Sequence, residues 1–252
     1  PISDDMAVMR SSLWSGLIDT AKSNMRRGHH NARFFELGLC FSGTDVDGQV
    51  QKIAGIISGN RHNLQWAGAD REVDFFDAKS DVEALLNLCK KDFKFESADH
   101  PALQMGQTAK IMKGKSHIGW LGALSPKLQK KLSMPNAFLF ELTQSEIEQG
   151  ETPSYESFSS FQASQRDIAI VVSKEITSDE LIHSIQSLKQ DDLIDVNLFD
   201  VYEGEHIEQG SKSVALNLTY QSKEVTLTDE QLAEKVSKIV GHLESKFSAK
   251  LR

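Results

Sequence analysis

Cysteine is scarce in this sequence, and neither Cys40 nor Cys89 has a second Cys or His at the spacing of a metal site. Both lie among apolar neighbours, so we interpret them as small core residues in a reducing compartment. Long apolar runs are also missing: no stretch approaches the roughly 20 residues of a membrane span, and the start lacks a signal core. We therefore expect a cytoplasmic protein with no membrane contact and no metal site.

Positive charge is deficient in the second half of the chain. Residues 1–150 hold 18 Lys and Arg against 18 Asp and Glu, whereas residues 151–252 hold 10 against 18, which accounts for the whole net charge of −8. An acidic domain is a poor polyelectrolyte for RNA. This composition counts against a general nucleic-acid binder, and any RNA binding must depend on local stacking and hydrogen bonds.

The first half has the pattern of an α+β domain over residues 1–150. Apolar residues recur every four positions from Met6 to Arg27, which predicts a helix. Its apolar stripe is wider than one core face needs, so we expect an apolar surface for association; the stripe includes Leu13, Trp14, Leu17 and Ile18. Strands are expected at 32–41 and 52–59, both apolar enough for the middle of a sheet, and a helix follows at 74–88.

The second half, residues 151–252, begins with a polar linker over 150–164 and continues in the order strand, helix, strand, strand, helix. The strands are expected at 167–172, 196–202 and 212–220, and the helices at 178–188 and 228–251. This order, with both helices on one face, is typical of the ferredoxin-like split βαβ fold. Its open sheet face is the architecture that RNA-recognition modules use to stack bases.

The second and third of these strands form a hairpin. We call the strand ends next to its connecting loop the mouth of the hairpin. Strict alternation places Val196, Leu198, Asp200 and Tyr202 on one side of the first strand. At the mouth lie an acceptor, a flat aromatic, a cation and a hydroxyl, which are the groups that an unpaired base and its phosphate require: Asp200, Tyr202, Lys212 and Ser213. The same residue types are common as solvated residues at strand ends, and composition alone favours that structural interpretation.

Longer motifs in both halves point to one family. The run LFDVYEGEHIEQGSKSVALNLTYQ at 198–221 resembles the C-terminal anticodon-binding domain of the bacterial phenylalanyl-tRNA synthetase β subunit. Motifs of the first half resemble the catalytic-like module of the same subunit: MRSSL at 9–13, FFELG at 34–38, VDFFDAK at 73–79, HPA at 100–102 and IGWLG at 118–122. The sequence begins at Pro1 without an initiator Met, so we expect a piece of a longer chain, and the resemblance implies that it is the C-terminal part.

The resemblance implies a fold and an enzyme. The fold is a class II synthetase-like antiparallel sheet domain followed by a ferredoxin-like domain. The enzyme is an (αβ)₂ tetramer that joins phenylalanine to its tRNA with ATP and Mg²⁺, with the catalytic site in the α subunit and the editing site upstream in β. The implied partners are the α subunit, tRNA(Phe) and a second αβ protomer. The fragment alone is expected to be inactive and to hold no cofactor.

Catalytic residues are not expected in the first half. Adenylate formation needs one arginine on a strand for the ATP α-phosphate and another after a glycine-rich strand for the γ-phosphate. Arg33 could be a relic of the first, but no Gly-x-Gly-x-Gly run with a following Arg occurs. We therefore interpret this half as a scaffold that buries surface against a catalytic partner.

The resemblance also implies roles for the hairpin residues. In the family, the Phe-Asp-x-Tyr strand and the Lys-Ser opening of the next strand meet the anticodon. Tyr202 would stack on the first anticodon base, a guanine, and Asp200 would accept from its N–H edge. Ser213 would bond a neighbouring base, and Lys212 would hold a phosphate.

Two other functions stay open at this point. The second half could be an amino-acid-sensing ferredoxin-like regulatory module, which predicts phenylalanine binding without RNA. It could also be a pure assembly scaffold that never touches RNA, which the net charge of −8 favours.

Overall fold

The computed structural model of the protein describes residues 7–43, 45–68, 70–88, 93–148, 154–155 and 157–252. Cys89 and part of the predicted linker, residues 150–153 and 156, lie outside this range. Contacts divide the chain into two compact units, Pro1–Pro153 and Ser154–Arg252. No helix in the described ranges is long and apolar enough to cross a membrane.

The first unit is built on one antiparallel sheet of six strands in the order β1-β2-β6-β5-β4-β3. The strands are β1 Ala32–Phe41, β2 Gln49–Ser58, β3 Phe93–Ser97, β4 Leu103–Lys113, β5 Ser116–Leu124 and β6 Ala137–Thr143. The helices are α1 Trp14–Arg26, α2 Phe75–Asn87, α3 Pro126–Leu132 and α4 Gln144–Ile147. Residues of α1 and of α2 belong to two separate apolar cores. The predicted α+β class is confirmed.

Helix α1 begins later than its apolar period predicts, at Trp14 rather than Met6. The reason is a carboxylate supplied by the sheet, since Glu141 Oε1 accepts from the Leu13 amide and from Ser12 Oγ, both at 2.8 Å. An acceptor at this position satisfies free N–H groups of the first turn. The expected association surface was wrong, because its four residues are 0–9% exposed and form the unit's own core: Leu13, Trp14, Leu17 and Ile18.

Strand β1 was expected in the middle of the sheet but lies at its edge, paired only with β2. Three apolar side chains on one of its faces are consequently exposed: Phe35, Leu37 and Leu39 at 76%, 49% and 41%. Edge strands with such a stripe are unusual in a monomer, because they invite pairing. Strand β1 therefore presents an exposed apolar stripe, whereas the four residues expected to form a surface on α1 are buried.

The second unit is a four-stranded antiparallel sheet in the order β10-β7-β9-β8. Its elements are β7 Ser164–Ser173, α5 Ser178–Gln186, β8 Leu193–Tyr202, β9 Ser211–Tyr220, α6 Asp229–Phe247 and β10 Lys250–Leu251. The predicted final helix was too long. It ends at Phe247, Ser248 takes a left-handed φ of 52°, and the chain returns to pair with β7. This fourth strand completes the βαββαβ order of a ferredoxin-like fold.

Candidate RNA-binding face

The sheet of the second unit has one covered face and one open face, and β9 shows both. Val214, Leu216 and Leu218 are fully buried and share a core with residues of α5 and α6. The alternate residues from Ser213 to Thr219 point the other way. We call this second side the open face. It is polar: Asn217 Nδ2 donates to Asp167 Oδ1 at 2.6 Å across to β7.

A β-bulge in β8 decides which side chains reach the open face. Leu198 pairs with Leu216, but the next pair is Asp200 with Ala215, so Phe199 is an extra residue. The bulge shifts the alternation, and Asp200 and Tyr202 take the same side as their partners on β9. The prediction that they share a side with Leu198 was wrong. The open face therefore carries Asp200, Tyr202 and Ser213 together.

The ring of Tyr202 is held in place by a glycine and an arginine. A Cβ added at Gly204 would lie 2.2 Å from Tyr202 Oη and 2.4 Å from its Cζ, so the phenol packs directly on the glycine backbone. The guanidinium carbon of Arg252 lies 5.3 Å from the ring centroid, within the range of a cation–π contact. The residue remains 38% exposed, so part of the ring is open to a ligand.

Ser213 and Asp200 differ in accessibility. Asp200 is exposed, and its carboxylate can accept hydrogen bonds from a ligand. Ser213, directly opposite Tyr202 in the pairing, is only 3% exposed. Its Oγ lies 3.5 Å from Arg252 Nη1, a long and weak hydrogen bond. The Ser213 hydroxyl is thus shielded from solvent, and Arg252 is its side-chain hydrogen-bond partner.

Lys212 does not join the other three residues. It pairs with Val172, a buried residue on the helix-covered side of β7, and its Nζ donates to the Lys174 carbonyl at 3.3 Å. Its charge acts on Glu180 of α5. Hydrogen bonds from Thr177 first lower the pKa of Glu180, and the charges of Lys212 and Lys246 lower it further. The structure thus places Lys212 on the helix-covered face of the sheet rather than on the open face.

Arg252 is the residue that the sequence interpretation missed. Its amide donates to the Ala169 carbonyl at 2.9 Å, which continues the pairing of β10 with β7. Its guanidinium then reaches both Tyr202 and Ser213, which lie 50 and 39 residues earlier in the chain. No periodicity in a two-residue strand signals such a long-range contact, so only the fold reveals it.

The first unit shows no free phosphate-binding arginine at the predicted position. Arg33 on β1 forms a bidentate pair with Asp81 on α2, with Nη2 to Oδ1 at 2.8 Å and Nε to Oδ2 at 3.1 Å. Glu141 is likewise occupied, because Lys52 Nζ lies 2.7 Å from its Oε2. Within the described ranges, no three His, Cys, Asp or Glu side chains group as a metal site requires. Arg33 and Glu141 are thus each paired within the unit.

Comparison with known proteins assigns both units. Residues 1–144 match the family model of the phenylalanyl tRNA synthetase beta chain CLM domain, and residues 159–252 match the ferredoxin-fold anticodon binding domain. The two domains together define a chain of the aminoacyl-tRNA synthetase class. This agrees with the antiparallel sheet of the first unit and the open-faced sheet of the second.

Full-length relatives give the particular family. The chain is 42% identical to the phenylalanine–tRNA ligase beta subunits of Coxiella burnetii and Methylococcus capsulatus, and 41% identical to that of Nitrosococcus oceani. Each alignment covers 100% of this chain and 32% of the relative, so the chain spans about a third of their length. The chain belongs to the phenylalanyl-tRNA synthetase β-chain family, and the resemblance inferred from its sequence is confirmed.

Proposed function

We propose that this chain is part of the β subunit of the ligase that joins phenylalanine to tRNA(Phe), and that its second unit binds the anticodon on the open face. One observation carries the proposal: the bulge at Phe199 brings Asp200 and Tyr202 to the open face, beside the Ser213 hydroxyl. A stacking ring, an acceptor and a hydroxyl on an open sheet are the groups that single-stranded RNA requires.

Each of the three residues has a chemical role in this proposal. Tyr202 offers the face of its ring to the first anticodon base, and Asp200 accepts from the N–H edge of that guanine. Ser213 bonds a neighbouring base. Because the unit is acidic, affinity comes from these local contacts rather than from a broad basic field.

We propose that the catalytic site lies elsewhere in the enzyme. Arg33, the residue closest to a phosphate-binding position, is neutralised by Asp81, which supports a scaffold role for residues 1–150. We place ATP and Mg²⁺ in the α subunit, and we expect residues 1–252 alone to have no ligase activity. The cytoplasm is the proposed location, and residues 151–252 are the proposed anticodon-binding module.

Assembly is the proposed task of the first unit. The exposed stripe on β1, formed by Phe35, Leu37 and Leu39, supports a buried contact in the complete enzyme. The proposed partners are the α subunit and a second αβ protomer. In this account the catalytic-like unit has kept its sheet as a surface for association.

Tyr202→Ala tests the anticodon proposal. Base stacking is worth about 1–3 kcal/mol, so removing the ring should weaken tRNA(Phe) binding by about 5- to 150-fold. Tyr202→Phe keeps the ring and is the matched control, with binding close to wild type. Dissociation constants are measured on the assembled full-length enzyme, with melting temperatures measured alongside.

Two results would count against the proposal. An unchanged dissociation constant for Tyr202→Ala would favour the assembly scaffold. A melting temperature lowered in proportion to the lost binding would show that Tyr202 only packs at a strand end.

A further inference from the structure

The cation that reaches Tyr202 on the open face is Arg252, not Lys212. We propose that the Arg252 guanidinium binds a phosphate of the RNA next to the base that stacks on Tyr202. This inference rests on the proposed function and deepens it, since it names a binding residue that neither the hairpin motif nor its spacing contains. Three features of the structure carry it: reach, free charge and the planar shape of the guanidinium.

The Arg252 side chain can extend to Tyr202 because the residues along its path on the open face are small. Arg252 starts beside Ala169 on β7, and Ala169 pairs with Ala215 on β9, which in turn pairs with Asp200 on β8. Two alanines leave room for a long side chain to cross the sheet. Its guanidinium therefore arrives at Tyr202 on the far strand, 5.3 Å from the ring centroid.

Free charge distinguishes Arg252 from several other cations of the unit. Arg166 pairs with Asp229, Lys174 with Glu203, and Lys250, which also lies on the open face, is 3.9 Å from Glu208. Among the residues that the structure describes, Arg252 has no carboxylate partner, and its one side-chain hydrogen bond is the long contact to Ser213. A guanidinium has five N–H donors, so most of them stay available to a ligand.

The planar shape of the Arg252 guanidinium allows it to contact an aromatic ring and a phosphate at the same time. A planar guanidinium can stack on an aromatic ring and still donate in its plane to phosphate oxygens. A nucleotide whose base lies on Tyr202 places its phosphate within reach of the same group. An acidic unit with net charge −8 also needs a cation at the point of contact, because its average field repels RNA.

The test compares arginine and lysine variants in the assembled full-length enzyme, with an anticodon stem–loop of tRNA(Phe) as the ligand and binding measured over a range of salt concentrations. Arg252→Gln should weaken binding by about tenfold and lower the slope of log affinity against log salt by about 0.7, the value for one phosphate contact to a single strand. Arg252→Lys should keep the slope. Lys212→Gln tests the competing residue, and Lys238→Gln on α6 is the surface control.

Each outcome decides between assignments. An unchanged salt slope for Arg252→Gln, even with weaker binding, means that Arg252 only positions Tyr202 and overturns the inference. If Lys212→Gln, and not Arg252→Gln, lowers the slope of log affinity against log salt, the phosphate is bound by Lys212. Tyr202→Ala belongs to the same series: if it weakens binding and Arg252→Gln does not, only this inference fails. If Tyr202→Ala has no effect, the proposed function fails.

Discussion

At the scale of single residues, Tyr220 shows how completely the second unit buries its central strand. Its side chain is 0% exposed, and its Oη has no hydrogen-bond partner among the described residues. Burial raises the pKa of Tyr220 to about 12, because the phenolate is poorly solvated. In an unfolded chain the same group titrates near 10.

Alkaline stability should therefore depend on Tyr220. Between about pH 10 and pH 12 the unfolded state loses this proton before the folded state does, so the free energy of unfolding falls as pH rises. Below pH 10 this contribution is constant. Tyr220→Phe should flatten that part of the pH profile and, since it removes an unpaired buried hydroxyl, should not lower the melting temperature at pH 7.

The matched control is Tyr155→Phe, because Tyr155 is 83% exposed. Melting temperatures from pH 7 to pH 12 check the prediction. Identical pH profiles for the wild type and the Tyr220→Phe variant would show that the phenol is solvated in the native state.

At the scale of elements, the pairing of β8 with β9 brings the residues of the candidate site together on one face of the sheet. The bulge sets the side on which Asp200 and Tyr202 lie, and the turn after β8 brings Gly204 under the ring. Glycine is required there by close approach rather than by an unusual φ, since a Cβ would fall 2.2 Å from Tyr202 Oη.

Gly204→Ala should weaken RNA binding without touching RNA. The added methyl forces the exposed ring to swing away, and because the ring moves rather than the backbone, the melting temperature should change little. We expect roughly 5-fold weaker tRNA binding, the lower end of a lost stacking contact. In a Tyr202→Ala background the same substitution should have no further effect on binding. If Gly204→Ala weakened tRNA binding equally in both backgrounds, the glycine would act independently of the Tyr202 ring.

Sequence patterns predicted those elements that repeat a period over many residues. The apolar period of β9 was enough for both faces of that strand, and the start of α6 was predicted within one residue. The bulge could not be predicted, because one extra residue leaves no trace in an apolar strand that ends in polar residues. The two-residue β10 has no period at all, and Arg252 was missed with it.

The first unit shows the same limit. An apolar period cannot say whether a strand is central or at an edge, so β1 was misplaced although its boundaries were predicted closely. The start of α1 depends on Glu141, which lies 128 residues from Leu13. Contacts at such sequence separation decide which apolar face is core and which is exposed.

At the scale of the whole molecule, the net negative charge and the proposed recognition surface lie in the same part of the chain. All of the net charge of −8 belongs to residues 151–252, the part for which we propose RNA binding. Recognition by an acidic unit has to be local, and the open face meets that requirement with the Tyr202 ring, the Asp200 carboxylate, the Ser213 hydroxyl and the Arg252 guanidinium. In this account the rest of the enzyme supplies the long-range attraction of tRNA.

The central claim, that the open face of the second unit binds the anticodon, is tested most directly by a photo-crosslink. Tyr202 is replaced by p-benzoylphenylalanine in the full-length chain, and the assembled enzyme is irradiated with tRNA(Phe). Glu244, exposed on α6 on the opposite side of the sheet, carries the same probe as the control. The account predicts a crosslink from position 202 to anticodon-loop nucleotides and none from position 244. Crosslinks from position 244 alone, or from position 202 only to nucleotides outside the anticodon loop, would contradict it.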